Sequence, residues 1–213
     1  MSHVQIFHYL GVEGRLRALL ADPQVHAVLK LPEVPADAPA PATARNIWES
    51  SAWHQYVSLG EGRAGFVPEP TFATENDRGN IVLSLNIDGF RCWKNSQYSL
   101  TPFTLMILNL PENLRHMADY LILAALVPGP RKAKNLSTYL ELLVEELLRL
   151  HSEGFDYEVQ GVTYHARVKL LCTCADYPGH SDINCQTWQG EWGCIKCELK
   201  VSGREGEKNM RRH

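Results

Sequence analysis

Apolar residues recur at helical spacing near the start of the chain and then give way to a stretch rich in proline. The leucines of residues 4–30 share one face, which predicts a short helical region. Four prolines fall within residues 31–44. Because proline is excluded from helix interiors and inner strands, this stretch is predicted to be a linker of polyproline character. A second short helix is predicted at 46–59, and residues 1–79 together form an N-terminal helical region.

The predicted core, residues 80–180, opens with a run of apolar and β-prone residues. Residues 81–87 are nearly all apolar, which is typical of a strand buried on both faces. A second strand is predicted at 98–109, with an interruption at Thr101-Pro102. Apolar residues then recur at helical spacing and predict a helix over 112–127.

The strongest helical pattern covers residues 135–151. Its predicted apolar stripe consists of Leu140, Leu143, Val144, Leu147 and Leu148. Ser137 is the predicted N-cap and Gly154 the predicted stop. Residues 155–174 predict a hairpin that turns at Gln160-Gly161 and returns as a single strand. This order of elements predicts a mixed α/β fold.

The composition is that of an ordinary globular chain. Hydrophobic residues make up 45% and charged residues 21% of the 213 residues, which excludes full disorder. No apolar run approaches about 20 residues, so no transmembrane helix is expected. The N-terminus lacks the basic start and long apolar centre of a secretory signal peptide. Six cysteines are too few for a disulfide scaffold, which indicates a reducing compartment.

Charge is nearly balanced overall but uneven along the chain. The formal net charge of −3 argues against strong nonspecific nucleic-acid binding by the whole chain. Residues 196–213 nevertheless carry six Lys or Arg against three Glu. A smaller basic cluster contains Arg131, Lys132 and Lys134. Each cluster is interpreted either as solvated surface or as a binding surface.

Two acids stand directly after predicted strands. Asp88 follows the apolar strand 81–87, and Asp176 follows the return strand of the hairpin. If the two strands are parallel neighbours, their ends meet at one sheet edge, where ligands of open α/β sheets gather. Two carboxylates held together call for a cation, and Mg²⁺ prefers such hard oxygen ligands. The alternative is that both acids serve ordinary turns, since Asp-Gly and Asp-Tyr-Pro-Gly are common turn sequences.

A pair of cysteines near the C-terminus has the spacing of a zinc site. Cys194 and Cys197 form a C-x2-C pair, which supplies two of the four ligands that tetrahedral Zn²⁺ needs. The remaining ligands would come from Cys185, His180 or His213. Unpaired thiols and a redox dithiol are the alternatives, but the preceding residues lack the strand that usually precedes a redox pair.

Other residues with chemical potential have ordinary structural interpretations. Cys172 and Cys174 share one face of the predicted return strand and are interpreted as core thiols. Trp48, Trp53 and Trp93 are interpreted mainly as cover for a core, with stacking on nucleic-acid bases as the alternative.

Several short motifs occur in a characteristic order, and that order carries a resemblance. They are Asp88-Gly89-Phe90, Tyr98-Ser99-Leu100, Asn109-Leu110-Pro111, Leu126-Val127-Pro128-Gly129-Pro130, Ala175-Asp176-Tyr177-Pro178-Gly179-His180 and Gly193-Cys194-Ile195-Lys196-Cys197. The series resembles the transposases of CACTA (En/Spm-like) cut-and-paste DNA elements. The resemblance extends from about residue 5 to residue 213.

The resemblance implies a fold, a chemistry and partners. The fold is a partial RNase H-like mixed sheet with flanking helices over 80–180, followed by a Cys-containing insertion at 181–213. The active site is an acidic triad that binds two divalent ions, Mg²⁺ or Mn²⁺, with Asp88 matching the first acid and Asp176 the second. Cys194 and Cys197 match a C-x2-C pair within the insertion, and a His-containing stretch of the family corresponds to Arg211-Arg212-His213. These three residues, Cys194, Cys197 and His213, are the candidate zinc ligands. The implied partner is DNA, both transposon ends and target, in the nucleus, and self-association is also compatible with the family.

The chain departs from the family pattern at the third acid. Acidic residues follow Asp176, but none lies in a recognisable third-acid context. We therefore expect a truncated or domesticated transposase-like protein. The alternative is a non-catalytic zinc-containing module that binds DNA or a protein. A third hypothesis is a remnant that folds poorly because its sheet is incomplete.

Overall fold

A computed structural model describes residues 7–29, 80–94, 98–129, 136–176, 179–180 and 183. The predicted linker 31–44, the predicted helix 46–59 and nearly all of the segment 181–213 lie outside these residues. The elements in chain order are β1 His8–Tyr9, α1 Glu13–Leu20, α2 Pro23–Val28, β2 Ile81–Ile87, β3 Phe90–Arg91, β4 Ser99–Ile107, α3 Glu112–Arg115, a 3-10 turn Ala118–Tyr120, β5 Leu121–Pro128, α4 Ser137–Ser152, β6 Phe155–Val159, β7 Val162–Ala166 and β8 Val168–Cys174.

The main sheet is mixed, because β2 has an antiparallel neighbour, β4, on one side and a parallel neighbour, β8, on the other. The strand order is β1-β5-β4-β2-β8, and β3 pairs with β4 beyond the end of β2. The β2–β4, β4–β5 and β1–β5 pairs are antiparallel, whereas β2 and β8 are parallel. Strands β6 and β7 form a separate two-stranded hairpin. The predicted mixed α/β fold is therefore confirmed.

One hydrophobic core joins the sheet to the helices. Strand β2 is buried along almost its whole length, as the continuous apolar run 81–87 predicts. Helix α4 contributes Leu140, Leu143, Leu147 and Leu150, and α1 contributes its three leucines to the same cluster. Among the described residues, no helix combines the length and apolarity needed to cross a membrane.

The predicted helix over 112–127 is wrong. Only Glu112–Arg115 is α-helical, and Leu121–Pro128 forms strand β5 between β1 and β4. The run 121–127 is continuously apolar, so its periodicity fits a buried strand as well as a helix. Backbone pairing on both sides decides for the strand, because it buries Ile122, Ala124 and Val127 within the sheet.

Helix α4 is confirmed, but its buried stripe is rotated from the predicted one. Val144 and Leu148 are 48% and 63% exposed, while Leu150 is fully buried. Ser137 is the first helical residue rather than the N-cap, which is Leu136 without a side-chain cap. The predicted stop is correct, since Gly154 has φ +71° directly after the C-cap.

Two strand predictions are wrong about where the strands are interrupted. Strand β4 runs through Pro102 without a break. Pro102 lies where the partner of β4 changes from β2, which ends its pairing at Phe103, to β3, which begins at Leu100. A missing N–H is tolerated at such a point. The return strand of the hairpin is divided at Arg167 into β7 and β8, which belong to different sheets.

The N-terminal segment is fastened to the core by one carboxylate on α4. The Glu146 carboxylate accepts the backbone N–H of Val12 at 3.0 Å and of Glu13 at 3.0 Å, and also the hydroxyl of Tyr9. Val12 is the N-cap residue of α1 and has no side chain able to cap it. Glu146 therefore caps α1 from another helix, which joins residues 7–29 to the sheet layer.

Candidate active site

The two predicted acids lie at the same edge of the sheet, by which we mean the edge formed by the C-terminal ends of β2 and β8. Strands β2 and β8 are parallel neighbours, and their last registered pair is Asn86 with Cys174. Asp88 and Asp176 each follow that pair by two residues, and both are exposed. Since neighbouring strands are about 4.8 Å apart, the two acids follow adjacent strand ends, and solvent reaches both side chains.

The chain after Asp176 folds back over the end of β2. The backbone N–H of Gly179 donates to Asp176 Oδ1 at 2.7 Å, and the N–H of His180 donates to the Asp176 carbonyl at 2.9 Å. A Cβ on Gly179 would lie 2.9 Å from Asp176 Oδ1 and 3.4 Å from the Ile87 carbonyl oxygen. The close approach explains a glycine here, and it brings Gly179, which donates to the Asp176 carboxylate, next to Ile87, the residue that precedes Asp88.

The turn interpretation and the site interpretation of the two acids are compatible. Asp88 and Gly89 connect β2 to β3, and Asp176 holds its own turn through one carboxylate oxygen. Nothing in these turns removes the carboxylates from the shared edge. A tight turn at the end of a strand fixes the backbone of the acid that begins the turn, while the acid's side chain stays in solvent.

The donor set at this edge fits a magnesium-like cation. The exposed carboxylates of Asp88 and Asp176 are hard oxygen donors. Mg²⁺ is commonly held by one or two carboxylates together with substrate phosphates and waters. Within the described ranges, no group of three or more His, Cys, Asp or Glu side chains could hold a metal. The arrangement therefore lacks the closed ligand set of a structural metal site.

Other motifs of the ordered series collect at the same edge. Because β4 is antiparallel to β2 and β5, the start of β4 and the end of β5 lie beside Asp88. The N–H of Gly129 donates to the Ser99 carbonyl at 2.5 Å, and a Cβ on Gly129 would lie 2.9 Å from the Ser99 backbone nitrogen. Four of the motifs thus meet around one sheet edge.

A family model described as transposase family tnp2 matches residues 66–210. The match covers more than half of the chain and includes both edge acids. The chain belongs to this transposase family. Neither the curated proteins nor the solved structures that were compared contained a match. Membership confirms the transposase resemblance and implies DNA as the class of partner.

One motif of this tnp2-family chain lies at the opposite edge and has a structural role. Asn109 is buried, accepts the backbone N–H of Val82 at 2.7 Å and donates to the Asn80 carbonyl at 2.9 Å. Asn80 is buried too, and its side-chain oxygen accepts the N–H of Arg167 at 3.1 Å. These bonds join the starts of β2 and β8. Sequence reasoning missed this function, although an Asn just after a strand is a signal for such side-chain pairing.

An exposed ribbon leaves the sheet directly after the first acid. Strand β3 pairs with the start of β4, and the N–H of Cys92 donates to the Tyr98 carbonyl at 3.2 Å. Trp93 is 68% exposed. The interpretation of Trp93 as core cover is therefore wrong, because the ribbon extends past the last pair of β2 and meets no covering element in the described chain. Trp48 and Trp53 lie outside the described residues.

Two cysteines on β8 share one face, as predicted, and meet a serine on β2. The Cys172 thiol donates to Ser84 Oγ at 3.4 Å, and Cys174 Sγ lies 3.6 Å from the same oxygen. Burial raises the pKa of the Cys172 thiol, which keeps it protonated and unreactive. Cys174 is exposed, so the core interpretation is wrong for it, because β8 ends there at the open edge.

The predicted zinc ligands receive no structural description. Cys185, Cys194, Cys197 and His213 lie outside the described residues, and their zinc site stays a prediction. His180 is described, and its Nε2 accepts the backbone N–H of Ala175 at 3.3 Å. That nitrogen is used within the turn that follows the second acid.

Proposed function

We propose that this chain provides the metal-binding carboxylates of a cut-and-paste DNA transposase of the CACTA (En/Spm-like) type. Asp88 and Asp176 would hold Mg²⁺ or Mn²⁺ and bring it to a phosphodiester of the transposon end. The observation that supports the proposal is the parallel pairing of β2 and β8, because Asp88 and Asp176 follow these two strands at the same end of the sheet. The order of the motifs supports the CACTA type and an RNase H-like catalytic core.

The two acids are held in position in different ways. Asp88 follows a buried strand, so its backbone position is fixed by the core. The Asp176 carboxylate is oriented by the N–H of Gly179, which occupies one oxygen and leaves the other to a cation or its waters. A bound cation would polarise the phosphodiester and lower the pKa of a coordinated water. Solvent exposure of both acids leaves room for a DNA phosphate to complete the coordination.

Several finer features of the proposal rest on the resemblance. They are recognition of transposon ends and target DNA, action in the nucleus, self-association, and a zinc site built from Cys194, Cys197 and His213. The metal content of the purified protein tests the zinc site directly. Zinc bound at one equivalent and lost in Cys194→Ser would support it.

The test of the proposed site is metal binding, because two carboxylates can bind a cation even where strand transfer needs further groups. Mn²⁺ binding is measured from the loss of the free-ion EPR signal during titration. Asp88→Asn and Asp176→Asn preserve shape but remove one negative charge each, and each should weaken Mn²⁺ binding at least about tenfold. The matched control is Asp119→Asn, an exposed acid at the other end of the sheet, which should bind like the wild type.

The outcomes separate the proposal from general attraction of Mn²⁺ to an acidic surface. Equal weakening in all three variants, or no weakening in Asp88→Asn and Asp176→Asn, would remove the basis for a shared metal site. Circular dichroism spectra of the variants verify that the fold is retained.

A further inference from the structure

We infer that the exposed ribbon after Asp88 is a stacking platform for unpaired bases of the DNA strand whose phosphate is held at the acids. The ribbon comprises residues 88–94 and 98–100. The inference rests on the proposed function, since it supposes DNA at Asp88 and Asp176. It adds a substrate form, a strand with unpaired bases near the reacting phosphate, and names the side chains that would hold it.

Exposed aromatic side chains are concentrated in this ribbon. Phe90, Trp93 and Tyr98 are 52%, 68% and 63% exposed. Every other Phe, Tyr or Trp in the described part of the chain is buried or half-buried. Exposed aromatic surface of this size is unfavourable in water unless something covers it. Three such side chains within nine residues therefore indicate a binding surface rather than scattered surface residues.

The backbone of the ribbon holds these side chains close to the first acid. Phe90 pairs with Leu100, Arg91 pairs with Ser99, and the Cys92–Tyr98 hydrogen bond extends the ladder. At about 3.3 Å per residue along a strand, Phe90 lies about 7 Å and Trp93 at most about 17 Å from Asp88. These distances are within reach of the first few nucleotides on one side of a phosphate at the acids.

The charges of the ribbon complement a nucleic-acid strand. Arg91 and Lys94 are exposed between and beside the aromatic residues, whereas the whole chain has a net charge of −3. Cations interleaved with aromatic rings are the usual composition of a surface that binds single strands, with the cations on phosphates and the rings on bases. An apolar protein partner would not need the two cations.

Unpaired rather than paired bases are favoured because stacking needs a free base face. In a duplex each base is already stacked on its neighbours, so exposed rings gain little there beyond the termini. A two-stranded ribbon can also enter the major groove of a duplex, and tight duplex binding is the competing outcome of the experiment.

The experiment measures binding of a fluorescent single-stranded oligonucleotide by anisotropy, in EDTA so that no divalent cation contributes. Trp93→Ala should weaken binding about tenfold, as expected for loss of one base stack, and Trp93→Phe should recover most of it. Leu148→Ala, at another exposed apolar residue, should leave binding unchanged. Double substitution of Arg91 and Lys94 by Ala should reduce the slope of log K against log salt by about 1.4.

An oligonucleotide of the same length with abasic sites separates stacking from charge. Wild type should bind the abasic strand more weakly than the normal strand. Trp93→Ala should show a smaller difference between the two strands, because Phe90 and Tyr98 remain to stack on bases. The inference is overturned if wild type binds the abasic and normal strands equally, or if it binds a blunt duplex more tightly than the single strand.

The design keeps this inference distinct from the proposed metal site. Single-strand binding in EDTA needs no cation, so it is measured independently of Mn²⁺ binding at the acids. If Asp88→Asn and Asp176→Asn bind Mn²⁺ like Asp119→Asn while the wild type binds the single strand as expected, only the metal site is rejected. Unchanged binding in Trp93→Ala, with Mn²⁺ binding still dependent on Asp88, would reject the platform alone.

Discussion

Replacing Glu146 by alanine tests whether one carboxylate joins the N-terminal segment to the core. The carboxylate accepts two backbone N–H groups at the start of α1 and the Tyr9 hydroxyl. Removing it leaves the two N–H groups without their acceptor, while the Tyr9 hydroxyl keeps the Leu142 carbonyl at 3.3 Å. The α1 terminus has no cap of its own, because Val12 has an aliphatic side chain.

The magnitude follows from the kinds of bond that are lost. Loss of an N-cap costs about 1–2 kcal/mol, and a hydrogen bond to a charged group contributes about 1.5–3 kcal/mol. The site is part-buried, so water can replace some of the loss. We expect Glu146→Ala to lower the free energy of unfolding by about 2–4 kcal/mol. The nearby ion pair of Arg149 with Glu13 at 2.6 Å is exposed and cannot compensate, since such pairs contribute about 0–1 kcal/mol.

The assay is urea denaturation followed by circular dichroism, with Glu145→Ala as the matched control. Glu145 is the exposed neighbour on the same helix, so both variants change helix propensity equally and the control should stay within about 0.5 kcal/mol of wild type. Amide hydrogen exchange should accelerate in α1 of Glu146→Ala before it does in β2. If the two variants unfold at the same urea concentration, Glu146 does not fasten the segment and the reasoning fails.

Two further predictions concern the opposite edge of the sheet and high pH. Asn109→Asp replaces the amide that donates to the Asn80 carbonyl with a buried carboxylate, and should lower stability by about 2–4 kcal/mol in thermal or urea unfolding; an unchanged midpoint would show that the Val82 bond alone suffices. Burial, and then the hydrogen bond to Glu146, raises the pKa of Tyr9, so its contribution is present below about pH 10 and is lost as pH rises above that value. Unfolding free energy should therefore fall above about pH 10 in wild type and less in Tyr9→Phe, and parallel pH curves would contradict this.

The sequence predicts the elements whose signals are local. The apolar run 81–87 is long, uninterrupted and ended by Asp-Gly, so β2 and the position of Asp88 follow directly. Helix α4 and its stop at Gly154 follow from periodicity and from the need for a left-handed residue. The β6–β7 turn contains Gly161 at φ +81°, which the hairpin prediction requires.

The remaining features depend on contacts between distant segments. The sequence of strand β5 predicts a helix, because its strand identity depends on pairing with β1 and β4. Glu146 lies off the apolar stripe and resembles a solvent-facing acid, yet it caps a helix more than a hundred residues away. The sequence does contain one signal for this contact, because the side chain of Val12 cannot cap α1 and the N–H groups there need another acceptor. The parallel pairing of β2 with β8 was only conditional in sequence, and the structure supplies it.

The two edges of the sheet are connected through the strands that carry the acids. Asn109 binds the N–H of Val82, and Asn80 binds the N–H of Arg167, so the starts of β2 and β8 are fixed to each other at one edge. Each strand then spans seven residues, about 23 Å, to the edge where its acid stands. A slip of one residue in either strand would turn its acid to the other face of the sheet. The β2–β8 pairing shifts by one residue between Leu83 and Ser84, where β8 has an extra residue. The register at the two acids therefore depends on this bulge as well as on the buried asparagines.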